Sequence, residues 1–277
     1  MKRLLIAALF GLCGFGVGSV AASDASTKLD QVLAAQPDHM KARYKYRHPK
    51  ETLEFFGVKP GMKVADFLPG QEWYGGILLP YLGEKGIYVG ADLNMESWRD
   101  YSRFADDPDK YIADQETWVG RFRERAEGWR SAGDAKVDAF RMDDVPARLE
   151  GQLDAVLAIR TLHLATRVDG HLQRALTGIF KALKPGGVFG VVQHRAPEEA
   201  SDEWARGYNG YVKQSALIRE IKAAGFILVA TSEVNANPKD QPAEGDQVWR
   251  LPPSNRSGEN DHIGESDRMT LKFRKPE

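Results

Sequence analysis

The sequence predicts an open α/β sheet of nucleotide-binding type, on three observations. The first is Lys63–Asn94, KVADFLPGQEWYGGILLPYLGEKGIYVGADLN. There an apolar run, Val64–Leu68, meets a turn at Pro69-Gly70, and a helix-like stretch from Trp73 to Leu82 is punctuated by Gly83 and Gly86. A second apolar run, Ile87–Ala91, stops at Asp92. Strand, tight turn, helix, strand and terminal carboxylate make the first βαβ unit of such a sheet. The second observation is the recurrence of strand-length apolar runs, at Lys136–Met142, Leu153–Ile159, Val188–Val192 and Ile227–Thr231. The third is Arg268–Arg274, where Met269, Leu271 and Phe273 alternate with Thr270, Lys272 and Arg274, as in a half-exposed edge strand.

A chain of 277 residues with 42% hydrophobic content can bury a sizeable core without covalent staples. Its net charge of −1 argues against nucleic-acid binding as the main business of the protein; oligomeric state is not legible. At the N-terminus, Lys2-Arg3 precede the apolar stretch Leu4–Val20 and the small residues Ala21-Ala22-Ser23. This pattern predicts a secretory signal over residues 1–22, cleaved before Ser23. The glycines in the run and its small-residue exit favour a cleaved signal over a membrane anchor, and the bulky Leu12 before Cys13 speaks against lipidation. Cleavage takes the net charge from −1 to −3 by removing Lys2 and Arg3, and it removes Cys13, the single cysteine. The expectation is an exported, periplasmic protein with no stable membrane insertion after cleavage, no disulfide and no thiolate chemistry.

Residues 23–46 predict a helical extension, with Leu29, Val32 and Leu33 at helical spacing, and residues 47–277 predict one domain. Pro49–Phe56 suits a helix with proline in its first turn, stopped at Gly57. Residues 95–136 are a long polar insertion in which Trp118, Phe122, Ala126 and Trp129 share a helical face. An amphipathic helix packed on the sheet explains that face, and a cover over a substrate cleft is compatible with it. The Leu153–Ile159 strand ends at Arg160-Thr161-Leu162-His163, and Val188–Val192 ends at Gln193-His194-Arg195. Between them, His171–Leu183 predicts an amphipathic helix turned by Lys184-Pro185-Gly186-Gly187 into the fifth strand. Residues 232–267 form a long loop rich in Asn, Asp, Pro and Gly.

This order of elements, with Ala182-Leu183-Lys184-Pro185-Gly186-Gly187-Val188 before the fifth strand and Ile218–Phe226 before the sixth, resembles the class I S-adenosylmethionine-dependent methyltransferases over nearly all of residues 23–277. More narrowly, HPKETLEFFGVKPGM from His48, Pro69–Tyr74, His194–Ala196 and the terminal ESDRMTLKFRKP are similar to a family of exported bacterial proteins described as predicted methyltransferases. The resemblance implies a Rossmann-like seven-stranded fold, mostly parallel with an antiparallel last strand and helices on both faces. It also implies methyl transfer from S-adenosylmethionine to a small or medium-sized acceptor. In that superfamily a glycine-rich loop follows the first strand. Here Asp66 takes the acidic position, while Leu68, Gly70 and Glu72 take the three glycine positions. Pro69 and Gly70 then belong to the cofactor loop, and the charged Glu72 falls where close approach is needed.

Asp92, at the end of the second strand, can hold the two hydroxyls of a ribose. Asp143 or Asp144 would sit near an adenine amino group. His163 and His194, at adjacent strand ends, are candidates for a general base or a substrate contact, and no HxH or HxxxH spacing supports a metal site. Trp73 and Tyr74 line a pocket or anchor the first helix. Asn237, Asp240 and Arg268 suit a clamp across the long loop at least as well as catalysis. Two other readings stand beside methyl transfer. One is an exported, non-catalytic ligand-binding protein with a degenerate cofactor loop, and the other, less favoured, is a nicotinamide-dependent oxidoreductase.

Overall fold

A computed structural model describes residues 17–277, with side chains from residue 24 onward. Lys2, Arg3, Cys13 and most of the apolar run of the expected signal lie outside the described residues. The chain enters through helices α1 (Val17–Ala35), α2 (Asp38–Lys41), α3 (Tyr44–Arg47) and α4 (Pro49–Phe56), then alternates β1 (Lys63–Phe67), α5 (Glu72–Leu82) and β2 (Ile87–Asp92). The insertion folds as α6 (Met95–Ser102), α7 (Pro108–Glu116) and α8 (Trp118–Glu127). The remainder runs β3 (Lys136–Arg141), β4 (Leu153–Ile159), α9 (Leu162–Thr166), α10 (His171–Ala182), β5 (Leu183–Ala196), β6 (Val212–Lys213), α11 (Gln214–Ala223), β7 (Ile227–Ser232) and β8 (Arg268–Arg274).

The strands stand in the order β3-β2-β1-β4-β5-β8-β7, with the two-residue β6 paired beside β5, so the described sheet has eight strands and not seven. Every pairing is parallel except those of β8, which runs antiparallel to both β5 and β7. Alternation along the central strands divides the core between two faces. Val64, Tyr88 and Leu157 point toward Leu29, Leu53, Ile77 and Phe122 of α1, α4, α5 and α8. Ala65, Val89 and Val156 point toward Leu162, Leu176 and Leu217 of α9, α10 and α11. The N-terminal helix is therefore part of the core. The insertion packs on the sheet through Phe122, whose ring sits where a Cβ on Gly90 would come within 2.3 Å.

Two strand expectations need correction. β8 is interior, and the edge is β7, where Ile227 and Val229 are 54% and 46% exposed. The polar residues of β8 do not face water, because the fold supplies partners: Thr270 Oγ1 accepts from Asn235 Nδ2 at 3.1 Å, and Lys272 Nζ donates to the Phe55 carbonyl at 2.9 Å. β5 begins at Leu183, five residues early, with a register irregularity against β4 between Leu153 and Ala155. The Lys184–Gly187 stretch is thus the irregular start of a strand, pinned by Gly186 N–H to the Lys275 carbonyl at 3.0 Å.

Because β1 leads through β2 to β3 on one side while β4 leads to β5 on the other, the strand order reverses between β1 and β4. A crevice must open there at the carboxyl ends of the strands.

Candidate functional site

The crevice is built from two equivalent corners. Leu68 follows β1 and Arg160 follows β4, and both take left-handed backbone, with φ of 52° and 64°. Each N–H still extends the parallel ladder, Leu68 to the Ala91 carbonyl at 2.7 Å and Arg160 to the Val192 carbonyl at 2.6 Å, before the chain turns away. Non-glycine residues held there cost about 1–3 kcal/mol each and tend to cluster at sites. Thr161 Oγ1 donates to the Phe67 carbonyl at 3.0 Å and ties the two corners together.

Above them lies a cavity of ≈ 310 Å³. Asp66, Gly70, Trp73, Tyr74, Arg160, His163 and His194 line it, as the strand-end argument anticipates, together with Arg47, Glu265, Arg268 and the segment 248–254. No local pattern joins Arg47 to Glu265, which are 218 residues apart in sequence; the signal available was that Arg47 directly precedes HPKETLEFFGVKPGM and Glu265 opens ESDRMTLKFRKP.

Four guanidiniums converge on the buried Glu265. Arg43 Nε donates to Oε1 at 2.8 Å, Arg47 Nε lies 3.4 Å from both oxygens, Arg160 Nη1 lies 3.5 Å from Oε2, and Arg268 Nη2 bonds Oε2. Burial alone would raise the Glu265 carboxyl, but Arg268, Arg47, Arg160 and Arg43 together pull it down to about 2. Burial lowers Arg47 to about 10, and burial with the neighbouring Arg47 and Arg268 pushes Arg160 well below the usual arginine range. Arg47 also lies over the Trp73 ring, 4.5 Å from its centroid. Asp66 accepts from Tyr88 OH at 3.1 Å, and burial lifts its carboxyl to about 7 against the opposing pull of that bond and of Arg160.

The two histidines face each other with ring centroids 5.7 Å apart. Burial, then Arg167, lowers His163 to about 3, and burial, then His163 and the arginines, lowers His194 well below the ordinary range, so both are neutral near pH 7. The network fixes the tautomer of His163. Gln193 Oε1 accepts from His163 N at 3.3 Å and its Nε2 donates to the Gly210 carbonyl at 2.9 Å, which turns that amide nitrogen toward His163 Nδ1 at 3.5 Å. His163 Nδ1 then accepts, and the ring carries its proton on Nε2. Arg268 Nε donates to Ser266 Oγ at 3.2 Å, and that hydroxyl, with one proton and a second lone pair, meets His194 Nδ1 at 2.5 Å in either tautomer of the ring.

The remaining expected residues lie elsewhere. Pro69 is buried and is not on the cavity wall. Glu72 starts α5, exposed, and faces a neighbouring depression with Arg43 and Gln71, so it does not crowd the loop as its spacing implies. Asp92 is 0% exposed: its Oδ1 accepts from Leu93 N at 2.9 Å, and its Oδ2 from Arg141 Nη1 at 2.6 Å and Trp98 Nε1 at 3.0 Å. Burial raises Asp92 to about 6 in spite of Arg141. Asp143 is exposed and accepts from Met95 N at 3.2 Å, holding the start of α6, while Asp144 closes a turn onto the Arg141 carbonyl. Asn237 and Asp240 clamp the long loop. Asn237 Nδ2 donates to the Ile263 carbonyl at 2.9 Å, and Asp240 accepts from Tyr211 OH at 3.0 Å and Asp267 N at 2.9 Å. Arg195 pairs with Glu233 and Asp267, away from the cavity. Among the described residues, no group of three or more His, Cys, Asp or Glu could hold a metal ion, and no helix is long and apolar enough to cross a membrane.

No protein-family model matches the sequence, and no curated protein sequence matches it. Solved structures do. A chain in a structure described as the complex between the Haloferax volcanii Trm112 methyltransferase activator and the putative methyltransferase is 16% identical, with 90% of this chain and 98% of that one covered and a TM-score of 0.50. A SAM-dependent methyltransferase from Aquifex aeolicus is 13% identical, with 90% and 97% covered and a TM-score of 0.48. An arsenic(III) S-adenosylmethionine methyltransferase from Chlamydomonas reinhardtii is 14% identical, with 90% and 73% covered and a TM-score of 0.46. At such identities the likeness is one of architecture. The chain has the fold of the class I S-adenosylmethionine-dependent methyltransferases.

Proposed function

We propose that the protein is an S-adenosylmethionine-dependent methyltransferase acting on a small or medium-sized acceptor, in the cavity between the ends of β1 and β4. The observation that supports this reading best is the coincidence of that cavity with the topological switch point, where open α/β sheets take their ligands. The methionine end of the cofactor fits. Leu68 keeps a glycine-like backbone, and a Cβ on Gly70 would meet nothing within 4 Å, so the wall is open beside Asp66. The ribose end fits less well, because a diol at Asp92 must displace Arg141 or Trp98. The cofactor would supply a methyl group made electrophilic by the sulfonium. The chain's contribution is position: Arg160 and the His163 imidazole N–H orient the acceptor, and Trp73 and Trp249 wall the cavity. With its proton on Nε2, His163 serves as a donor to the acceptor, and His194 beside it remains the candidate base.

The closure of Asp92 favours a second reading, a ligand-binding protein that keeps the fold without methyl transfer. Calorimetric titration of S-adenosylmethionine and its demethylated product decides between them. Micromolar binding supports the transferase, and no heat at millimolar concentration leaves the binding protein. We further place the protein outside the cytoplasm, in the periplasm, on the strength of residues 1–22. Fractionation of full-length protein tests this, and recovery of uncleaved chain from the cytosol overturns it.

A further inference from the structure

We propose that the cavity is an anion site, in which Arg160 receives a carboxylate or phosphate group carried by the acceptor. As a statement about the acceptor this rests on the transferase reading; as a statement about anion binding it does not.

The charges do not balance as they stand. Arg43, Arg47, Arg160 and Arg268 share one carboxylate, Glu265, which is 2% exposed. Three of the four are otherwise accommodated. Arg43 bonds Glu265 twice; Arg268 adds Ser266 Oγ and the Tyr46 carbonyl at 3.0 Å; Arg47 lies on Trp73. Arg160 makes the longest of these pairs, 3.5 Å, and its Nε is buried without a hydrogen-bond partner. Asp66 does not compensate it, since among the described residues no ion pair joins the two and Asp66 is occupied by Tyr88. Buried cations in excess of their partners are costly, and an anion removes that cost.

The neutral groups point the same way. His163 offers an N–H donor on the wall that holds Arg160, so guanidinium and imidazole present donors together beside the carboxylates of Asp66 and Glu265. Beside them Trp249, Pro252 and Pro253 supply an apolar wall, and Trp249 is 39% exposed. The ligand class is a small molecule with an anionic head and a planar or apolar body.

The test uses the full chain at constant ionic strength, with benzoate and inorganic phosphate as anions and benzamide as the neutral counterpart of benzoate. Thermal unfolding and calorimetry should show saturable binding of benzoate or phosphate and none of benzamide. Arg160→Gln should weaken it about tenfold or more, and Arg219→Gln, on α11, should leave it unchanged. If Arg160→Gln fails to fold, Gly70→Phe adds a ring at the cavity lining, where a Cβ meets nothing within 4 Å, and should abolish anion binding. Equal binding of benzamide, or full affinity in Arg160→Gln or Gly70→Phe, overturns the proposal. S-adenosylmethionine separates the sources. Simultaneous binding of cofactor and benzoate supports an acceptor anion. Mutual exclusion assigns the arginines to the cofactor's own carboxylate and overturns the acceptor assignment. Benzoate binding without cofactor binding keeps the anion site and removes the transferase.

Discussion

Asp66 and Glu265 are carboxylates lining the same cavity, and burial and neighbours drive them in opposite directions. Asp66 is raised to about 7, so it binds a proton in the folded state at pH values where the unfolded chain has released it. The stability tied to that proton is present below about pH 4 and is lost as pH rises through 7. Asp66→Asn should therefore be more stable than wild type by on the order of 3 kcal/mol at pH 8, with the gap closing toward pH 4; urea unfolding at the two pH values checks it. Glu265, lowered to about 2, contributes stability above its unfolded value that is lost as pH falls from about 4.5 toward 2. Glu265→Gln leaves four guanidiniums without their shared anion and should cost about 3–5 kcal/mol, read in the same experiment at pH 7. At this scale the sequence was legible for position at strand ends: Arg160, His163 and His194 line the cavity with Asp66 and Gly70, while Arg195 pairs away from it. It was not legible where partners come from distant segments, as with Arg47 and Glu265, since no local pattern records that contact.

Among the elements, the insertion and the β8–β7 edge show what patterning can and cannot say. The helical face of Trp118, Phe122, Ala126 and Trp129 does bury against the sheet, because the 3.6 period reports a buried side directly. The alternation in Arg268–Arg274 reports two different sides but not which elements cover them, and here Asn235 and the α4 carbonyl at Phe55 take up the polar one. Asp92 shows the same limit: a strand-end carboxylate is visible in sequence, whereas the arginine 49 positions on that pairs with it is not. Arg141→Ala should strip a buried partner from Asp92 and cost about 3–5 kcal/mol, while Asp92→Asn combined with Arg141→Met should recover much of it in thermal unfolding. Gly178 of α10 offers a second check. A Cβ there would stand 2.4 Å from the Met142 carbonyl oxygen, a backbone atom that cannot swing aside. Gly178→Ala should destabilise by about 1–3 kcal/mol without changing the cavity.

For the whole molecule, topology fixes where chemistry can occur. The reversal between β1 and β4 opens one crevice, and both its corners hold non-glycine residues in left-handed backbone. The βαβ reading of Lys63–Asn94 located that crevice from sequence, because strand length, turn and terminal carboxylate are local properties. It could not show that Asp92 would be buried against Arg141, or that arginines from α3, the corner after β4 and β8 would meet above the crevice. On the transferase reading the cofactor lies beside Gly70, and Gly70→Phe tests that placement because a Cβ there meets nothing within 4 Å in the free protein. The measurement is a calorimetric titration of S-adenosylmethionine into wild type and Gly70→Phe, with the melting temperature of each. Binding to wild type, none to Gly70→Phe and unchanged melting are expected. Equal binding by both proteins, or none by wild type at millimolar cofactor, would overturn the transferase reading of the cavity.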